Sequence, residues 1–143
     1  MGRNDADASK KDGGSMRESH NSGISITKVQ GILLVTMQPD LDSDQFRDLT
    51  TLLGEKVAKD RPKAVVLDFS TVQLLSHSEY ERIYSMLLSL HLLGPQVAIS
   101  NLCREVVLYL AESEAIHPEI RFFLGIEDAM QHFSAEGASS HGR

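Results

Sequence analysis

The sequence contains little cysteine and little positive charge, and each shortage excludes a class of protein. Its single cysteine, Cys103, cannot form an internal disulfide or a cysteine-rich zinc site, so nothing in the chain calls for an oxidising compartment. Lys and Arg number 14 against 20 Asp and Glu, which gives a net charge of -6. Because an acidic chain with scattered basic residues repels phosphate groups, we expect no binding of nucleic acid.

Long apolar runs are also absent. No stretch approaches the roughly 20 residues that span a bilayer, and the beginning of the chain, MGRNDADASKKDGGS, lacks the apolar core of a signal peptide. We therefore expect a cytoplasmic protein with no direct membrane insertion. Apolar residues form 41% of the chain and charged residues 24%, as in soluble globular proteins, so the 143 residues are predicted to form one domain.

The predicted domain lies between two polar ends. Residues 1–23 contain almost no large apolar side chain, and such a segment cannot bury enough surface to offset its chain entropy. Residues 134–143 have the same polar composition. We therefore predict one folded domain over residues 24–133, with a disordered tail on each side.

Strand and helix patterns alternate along this domain. Runs of β-branched and apolar residues predict strands at Ile24–Val29, Ile32–Met37, Ala64–Phe69, Gln96–Ser100 and Ile120–Leu124. Apolar residues spaced three and four apart predict helices at Asp42–Lys59, Ser76–Leu92, Cys103–Glu112 and Ile126–Phe133. Strands joined by helices of this length form right-handed parallel crossovers. We therefore predict an α/β fold with a mixed, mostly parallel sheet of four to five strands, an N-terminal β-hairpin and about four helices packed on it.

Motifs of catalysis and nucleotide binding are absent from the sequence. It contains no G-x-G-x-x-G, no G-x-x-x-x-G-K-[ST] and no G-x-S-x-G nucleophile elbow. The six histidines never adopt the H-E-x-x-H spacing, and Cys103 has no identifiable catalytic partner. These absences favour a binding or switching role over catalysis. We expect no enzyme activity, no cofactor and no bound metal.

The stretch Leu67–Ile83, LDFSTVQLLSHSEYERI, carries a resemblance to a known family. A buried strand ends in Asp68-Phe69-Ser70, and after Val72 and two leucines a group of polar residues opens a helix. This pattern resembles the STAS domain of bacterial anti-sigma factor antagonists of the RsbS and SpoIIAA type, and Leu41-Asp42 resembles the opening of that family's first helix. The similarity covers nearly all of the predicted domain and implies a STAS-like fold.

One position departs from the family's pattern. In the family, a partner kinase phosphorylates the serine that directly follows an aspartate at the start of this helix. Here Ser76 takes the place of the aspartate, His77 takes the place of the serine, and Ser78 follows one residue later. Three interpretations stay open: Ser76 or Ser78 is a displaced phosphoacceptor, His77 is itself modified, or the switch has been lost.

The same residues also have a purely structural interpretation. Ser76 and Glu79 form an S-x-x-E capping box, which stabilises a helix without any further role. His77 is either an exposed residue at a helix start or a pH-sensitive contact with a partner. Asp42 is either a helix cap or part of a partner surface, because the resemblance places it near the turn that contains Ser76 and Ser78.

The resemblance implies a non-catalytic regulatory module of the anti-sigma factor antagonist or stressosome scaffold type. Such a module binds a serine kinase, an anti-sigma factor or other STAS proteins, itself included, here through Asp42, Ser76, His77 and Ser78. Phosphorylation would add about -1.5 to -2 charges to that surface. The alternative is an accessory subunit of a membrane lipid or anion transporter, for which no phosphoserine is required. The lack of a hydroxyl at His77 favours this alternative.

Overall fold

A computed structural model of the chain describes residues 24–113 and 117–142. The strands are β1 Ser25–Val29, β2 Ile32–Thr36, β3 Ala64–Asp68, β4 Gln96–Ser100 and β5 Ile120–Phe123. The helices are α1 Ser43–Asp60, α2 His77–Leu92, α3 Arg104–Glu112 and α4 Ile126–Gly142. The order of strands and helices agrees with the sequence prediction. The predicted N-terminal tail, residues 1–23, lies outside the described residues.

The five strands form one sheet in the order β1-β2-β3-β4-β5. Strand β1 is antiparallel to β2, and the other neighbouring pairs are parallel. The hairpin turns at Gln30 and Gly31, which both have positive φ (54° and 80°), as a tight turn between twisted strands requires. Because β2 to β5 are parallel, the loops that follow them all lie at one edge of the sheet, which we call the carboxyl edge.

Helices cover both faces of the sheet, which explains why β3 is buried along its whole length. Helices α1, α2 and α3 pack on one face, where apolar residues such as Leu53, Leu87 and Leu110 form the larger part of the core with residues from all five strands. Helix α4 packs on the other face, where Ala129 and Phe133 meet smaller residues of β2, β3 and β4. Each large apolar side chain buried in this way contributes about 1.5–3 kcal/mol to folding.

Helix α4 is longer than the sequence predicted. The prediction ended this helix at Phe133 and assigned residues 134–143 to a disordered tail, whereas the helix continues to Gly142. The prediction relied on the spacing of apolar residues, but a helix can continue without such residues when no proline stops it. The Ser134 hydroxyl also contacts Gln30 Oε1 at 3.4 Å, which links the helix to the β1–β2 turn.

Candidate functional site

Helix α2 begins at the carboxyl edge with the capping box that the sequence predicted. Ser76 is the N-cap residue, and its Oγ accepts a hydrogen bond from the Glu79 N–H at 3.1 Å. In return, Glu79 Oε1 accepts a hydrogen bond from the Ser76 N–H at 2.8 Å. These two bonds satisfy donors that the first turn of a helix leaves unpaired. The Ser76 hydroxyl therefore stabilises the start of α2.

Helix α1 begins at the same edge with a second capping box. The Gln45 N–H donates to Asp42 Oδ1 at 2.8 Å, and the Asp42 N–H donates to Gln45 Oε1 at 2.9 Å. Asp42 is the N-cap residue of α1, which is the structural one of the two interpretations that the sequence left open for it. One oxygen of the Asp42 carboxylate is thus used within the helix start.

His77 and Ser78 occupy the first turn of α2 and have different neighbours. His77 Nε2 lies 3.1 Å from Glu81 Oε2, and its ring meets the ring of Tyr109 on α3 edge-on, with centroids 6.4 Å apart. Ser78 is exposed, and its Oγ lies 3.4 Å from Ser76 Oγ. The imidazole is therefore directed toward α3, and the Ser78 hydroxyl remains open to solvent.

A cavity of about 440 Å³ lies between the two helix starts. Its walls are the β2–α1 loop from Met37 to Leu41 on one side, and the β3–α2 loop with the first turns of α2 on the other. Buried apolar residues line its depth, among them Phe69, Val72 and Ile83. At its mouth, the side chain of Leu74 is 86% exposed. A cavity of this size accepts a small ligand or the side chains of another protein.

Phe46 and Arg82 form the wall between this cavity and a neighbouring groove. The guanidinium carbon of Arg82 lies 5.7 Å from the centroid of the Phe46 ring, within range of a cation–π interaction. Both residues also border a groove of about 370 Å³ between α1 and α2, which includes Ser85 and Ser89. The contact between the Arg82 guanidinium and the Phe46 ring therefore lies between the two spaces.

A buried carboxylate fixes the loop that forms one side of the cavity. Asp68, 4% exposed, accepts hydrogen bonds from the Ser70 N–H at 3.2 Å and the Ser70 hydroxyl at 2.9 Å. It also accepts a bond of 2.7 Å from Asn101 Nδ2, across the edge at the end of β4. The Thr71 hydroxyl donates to the Met37 carbonyl at 2.9 Å. The loop is thereby attached to both neighbouring strands.

Sequence reasoning missed several site residues, among them Leu74, Phe46, Asn101 and Arg82. Asn101 has a φ of 62°, a left-handed conformation in which asparagine is enriched. Its place directly after the strand Gln96–Ser100 was a usable signal, because residues after parallel strands meet at one edge. Arg82 gave no such signal, since its ring partner lies far away in the sequence.

The single cysteine lies at the start of α3 and bonds a neighbouring carboxylate. The Cys103 thiol donates to Glu105 Oε1 at 2.8 Å, and this bond lowers the pKa of the Glu105 carboxyl. Within residues 24–113 and 117–142, no group of three His, Cys, Asp or Glu residues could hold a metal ion. In the same part of the chain, no helix has the length and apolar character needed to cross a membrane.

The chain belongs to the STAS domain family, whose sequence profile matches residues 23–129. Its structure is similar to a serine-to-glutamate variant of RsbS from Moorella thermoacetica, with 16% identity, a TM-score of 0.71, and coverage of 82% of this chain and 99% of that one. It is also similar to the anti-sigma factor antagonist SpoIIAA in its unphosphorylated form, with 8% identity, a TM-score of 0.57, and coverage of 76% and 96%.

A third similar structure belongs to a much larger protein. SLC26A9 matches with 18% identity and a TM-score of 0.56 over 81% of this chain, which is 22% of that protein. No curated protein matches the sequence. The family match and the two regulatory neighbours confirm the predicted family and the predicted STAS-like fold, with its antiparallel hairpin β1–β2 at one side of a mostly parallel sheet.

Proposed function

We propose that this protein is a non-catalytic regulatory module that binds another protein at the carboxyl edge of its sheet. The partner is a serine kinase, an anti-sigma factor or another STAS protein, as in the anti-sigma factor antagonist and stressosome scaffold types. The observation that carries the proposal is the cavity between the starts of α1 and α2, with the exposed Leu74 at its mouth. Membership in the STAS domain family supports it.

Apolar surface supplies the affinity in this proposal. Leu74 exposes 86% of its side chain, and the cavity beside it is lined with apolar residues such as Phe69 and Val72. An apolar side chain of the partner that fills this space leaves water and creates a binding hot spot. Charged residues such as Asp40 and Glu79 also line the cavity and make the contact sensitive to charge. Asp42 and Ser78 lie outside this lining, at the starts of the two adjoining helices.

The experiment begins with partners recovered by a tagged pull-down from the native organism. The affinity of a purified partner is then measured for the wild type and for Leu74→Ser, with Leu92→Ser as the matched control. Leu92 is 85% exposed and lies at the opposite end of α2. We expect Leu74→Ser to weaken binding at least about tenfold, or about 1.4 kcal/mol, and Leu92→Ser to leave it unchanged. Equal affinities for the two variants would contradict the proposed surface.

Charge variants test the helix start directly. His77→Asp and Ser78→Asp both place a negative charge on the exposed first turn of α2, where the helix dipole tolerates it. The fold should therefore remain intact, while a partner bound against this turn loses affinity. Unchanged partner binding by both variants would show that this turn is not part of the binding surface.

A second candidate function is an accessory subunit of a membrane lipid or anion transporter. The observation in its favour is His77, which stands where the resemblance expects the phosphorylated serine and whose imidazole contacts Glu81. A module that needs no phosphate can carry histidine there. The same pull-down distinguishes the two functions: the first predicts retention of a kinase, an anti-sigma factor or STAS proteins, and the second predicts retention of a transporter subunit.

A further inference from the structure

Two unpaired charges of opposite sign border the cavity between the starts of α1 and α2. Asp40 and Arg82 both line it, and in the part of the chain that the structure describes neither forms an ion pair. Both residues are exposed, so each charge is free to bind a ligand. Glu79 is the other acidic residue of the lining, but its Oε1 already accepts the Ser76 N–H in the capping box. Of the two lining carboxylates, Asp40 is therefore the freer one.

The Phe46 ring holds the guanidinium of Arg82 through its charge. The guanidinium carbon lies 5.7 Å from the centroid of the ring, within range of a cation–π interaction. A guanidinium also has five N–H donors, arranged in a fixed fork that matches the two oxygens of a carboxylate. The carboxylate of a ligand in the cavity can therefore bind Arg82 while the guanidinium stays on the ring.

The depth of the cavity is apolar. Phe69, Val72 and Ile83 line it, and all three are buried. An apolar group that enters this space leaves water, which favours binding. The volume of about 440 Å³ lies within the range of about 300–1,000 Å³ that is typical of small-molecule sites. The cavity thus combines an apolar interior with a free negative group and a free positive group at its border.

We propose that the cavity binds a free amino acid with an apolar side chain, such as leucine or phenylalanine. The side chain enters the apolar depth, the ammonium group contacts the Asp40 carboxylate, and the carboxylate contacts the Arg82 guanidinium. An apolar amine would leave Arg82 unpaired, and an apolar carboxylic acid would leave Asp40 unpaired, whereas an amino acid offers a partner to each. Both contacts are charge-assisted hydrogen bonds, which are roughly twice as strong as neutral ones.

The bound amino acid also regulates the contact with the partner, a consequence that rests on the proposed function. The proposed partner places an apolar side chain in the same cavity, beside Leu74, so the amino acid and the partner exclude each other. The concentration of the free amino acid then controls how much of the protein is available to the partner. Binding of the amino acid itself requires no partner.

The experiment titrates the full chain with L-valine, L-leucine, L-methionine and L-phenylalanine, and follows the NMR signals of the Val72 and Ile83 methyl groups. We expect saturable shifts with at least one of these amino acids below about 10 mM. Three further compounds identify the contacts: the best ligand without its ammonium group, the best ligand without its carboxylate, and glycine. Each should bind at least about tenfold more weakly, because it lacks one charge-assisted bond or the apolar side chain.

Asp40→Asn and Arg82→Gln test the two polar contacts, with Asp44→Asn and Arg47→Gln as matched controls. Asp44 and Arg47 pair with each other on α1 and lie outside the cavity lining. All four positions are exposed, and asparagine accepts the φ of 63° at position 40, so the variants should remain folded. We expect the first two variants to bind the amino acid about tenfold more weakly and the controls to bind it as the wild type does.

Two outcomes would overturn the inference. One is the lack of a saturable shift with all four amino acids, and the other is an equal affinity for the amino acid and for either compound that lacks one of its charged groups. A partner whose affinity is unchanged by saturating amino acid would refute the competition alone. A partner that is indifferent to Leu74→Ser would refute the proposed function, whereas the amino acid titration contains no partner and keeps its result.

Discussion

At the scale of single residues, the carboxyl edge depends on a buried carboxylate that has only neutral hydrogen-bond donors. Asp68 receives two bonds from Ser70 and one from Asn101, and no ion pair accompanies it among the described residues. A buried acceptor that loses a donor costs about 1–3 kcal/mol. The ends of β3 and β4 are therefore joined by an interaction whose loss should be easily measured.

We predict that Asn101→Ala lowers the free energy of unfolding by about 1–3 kcal/mol, measured by urea denaturation. The substitution removes the amide that bonds Asp68 and places alanine at a φ of 62°. Asn101→Gly is the matched control, because glycine accepts this φ without strain but also lacks the amide. If both variants are as stable as the wild type, the bond to Asp68 contributes nothing.

The buried Tyr80 hydroxyl predicts that the protein loses stability at high pH. Burial is the main cause that raises the pKa of its hydroxyl to about 12, against the ordinary value of 10.0. The unfolded chain releases this proton near pH 10, whereas the folded protein holds it to about pH 12. The contribution of the raised Tyr80 pKa to the free energy of unfolding is thus complete below pH 10. It is lost as the pH rises toward 12, by at most about 1.4 kcal/mol per pH unit.

The measurement compares the wild type with Tyr80→Phe at pH 9 and pH 11.5. Phenylalanine does not titrate. The wild type should therefore lose more of its free energy of unfolding between pH 9 and pH 11.5 than the variant does. A difference that is equal at both pH values would show that the Tyr80 hydroxyl does not have this pKa.

At the scale of elements, two capping boxes define where the helices of the site begin. We predict that Ser76→Ala and Asp42→Ala each destabilise the protein by about 1 kcal/mol. Ser76→Asp and Asp42→Asn are the matched controls, since Asp and Asn are equally good N-cap residues. Thermal unfolding measures all four variants, and loss of stability in the controls as well would mean that capping is not the cause.

The elements also show how far a sequence can predict this fold and site. The strand Gln96–Ser100 was predicted with its observed ends, because its apolar run is bounded by clear turn residues. The capping box of Ser76 was readable, because it needs only four consecutive residues. The cavity and the Arg82–Phe46 contact were not readable, because they depend on how α1 and α2 pack together. Apolar spacing also gave no sign of the last turns of α4, because residues 134–143 contain no large apolar side chain.

At the scale of the whole molecule, the two faces of the sheet are covered unequally. Three helices cover one face, and on the other α4 packs on a small apolar cluster that contains Phe133. The Phe133 ring also contacts Phe123, with centroids 5.7 Å apart. Among the residues of α4 whose burial is described, Ala129, Met130 and Phe133 pack on this cluster.

We predict that Phe133→Ala lowers the free energy of unfolding by about 3–5 kcal/mol, because it removes a buried ring and leaves a cavity. The affinity of the folded protein for the proposed partner should be unchanged, since the candidate site lies at the starts of α1 and α2, which pack on the other face. Urea denaturation and a binding titration check the two parts. Phe133→Leu serves as the control and should lose less stability. A Phe133→Ala variant as stable as the wild type would contradict the packing of α4.

The hairpin and helix α4 place the two ends of the described domain at opposite edges of the sheet. Ser25 pairs with Thr36, so the first described residues lie beside Met37, which lines the cavity. Helix α4 runs the other way and reaches the hairpin turn at Ser134, so it continues past the opposite edge of the sheet. An affinity tag joined after Gly142 is therefore expected to lie far from the proposed partner surface. A fusion domain joined directly to Ile24 would start next to the cavity and compete for space with the proposed partner.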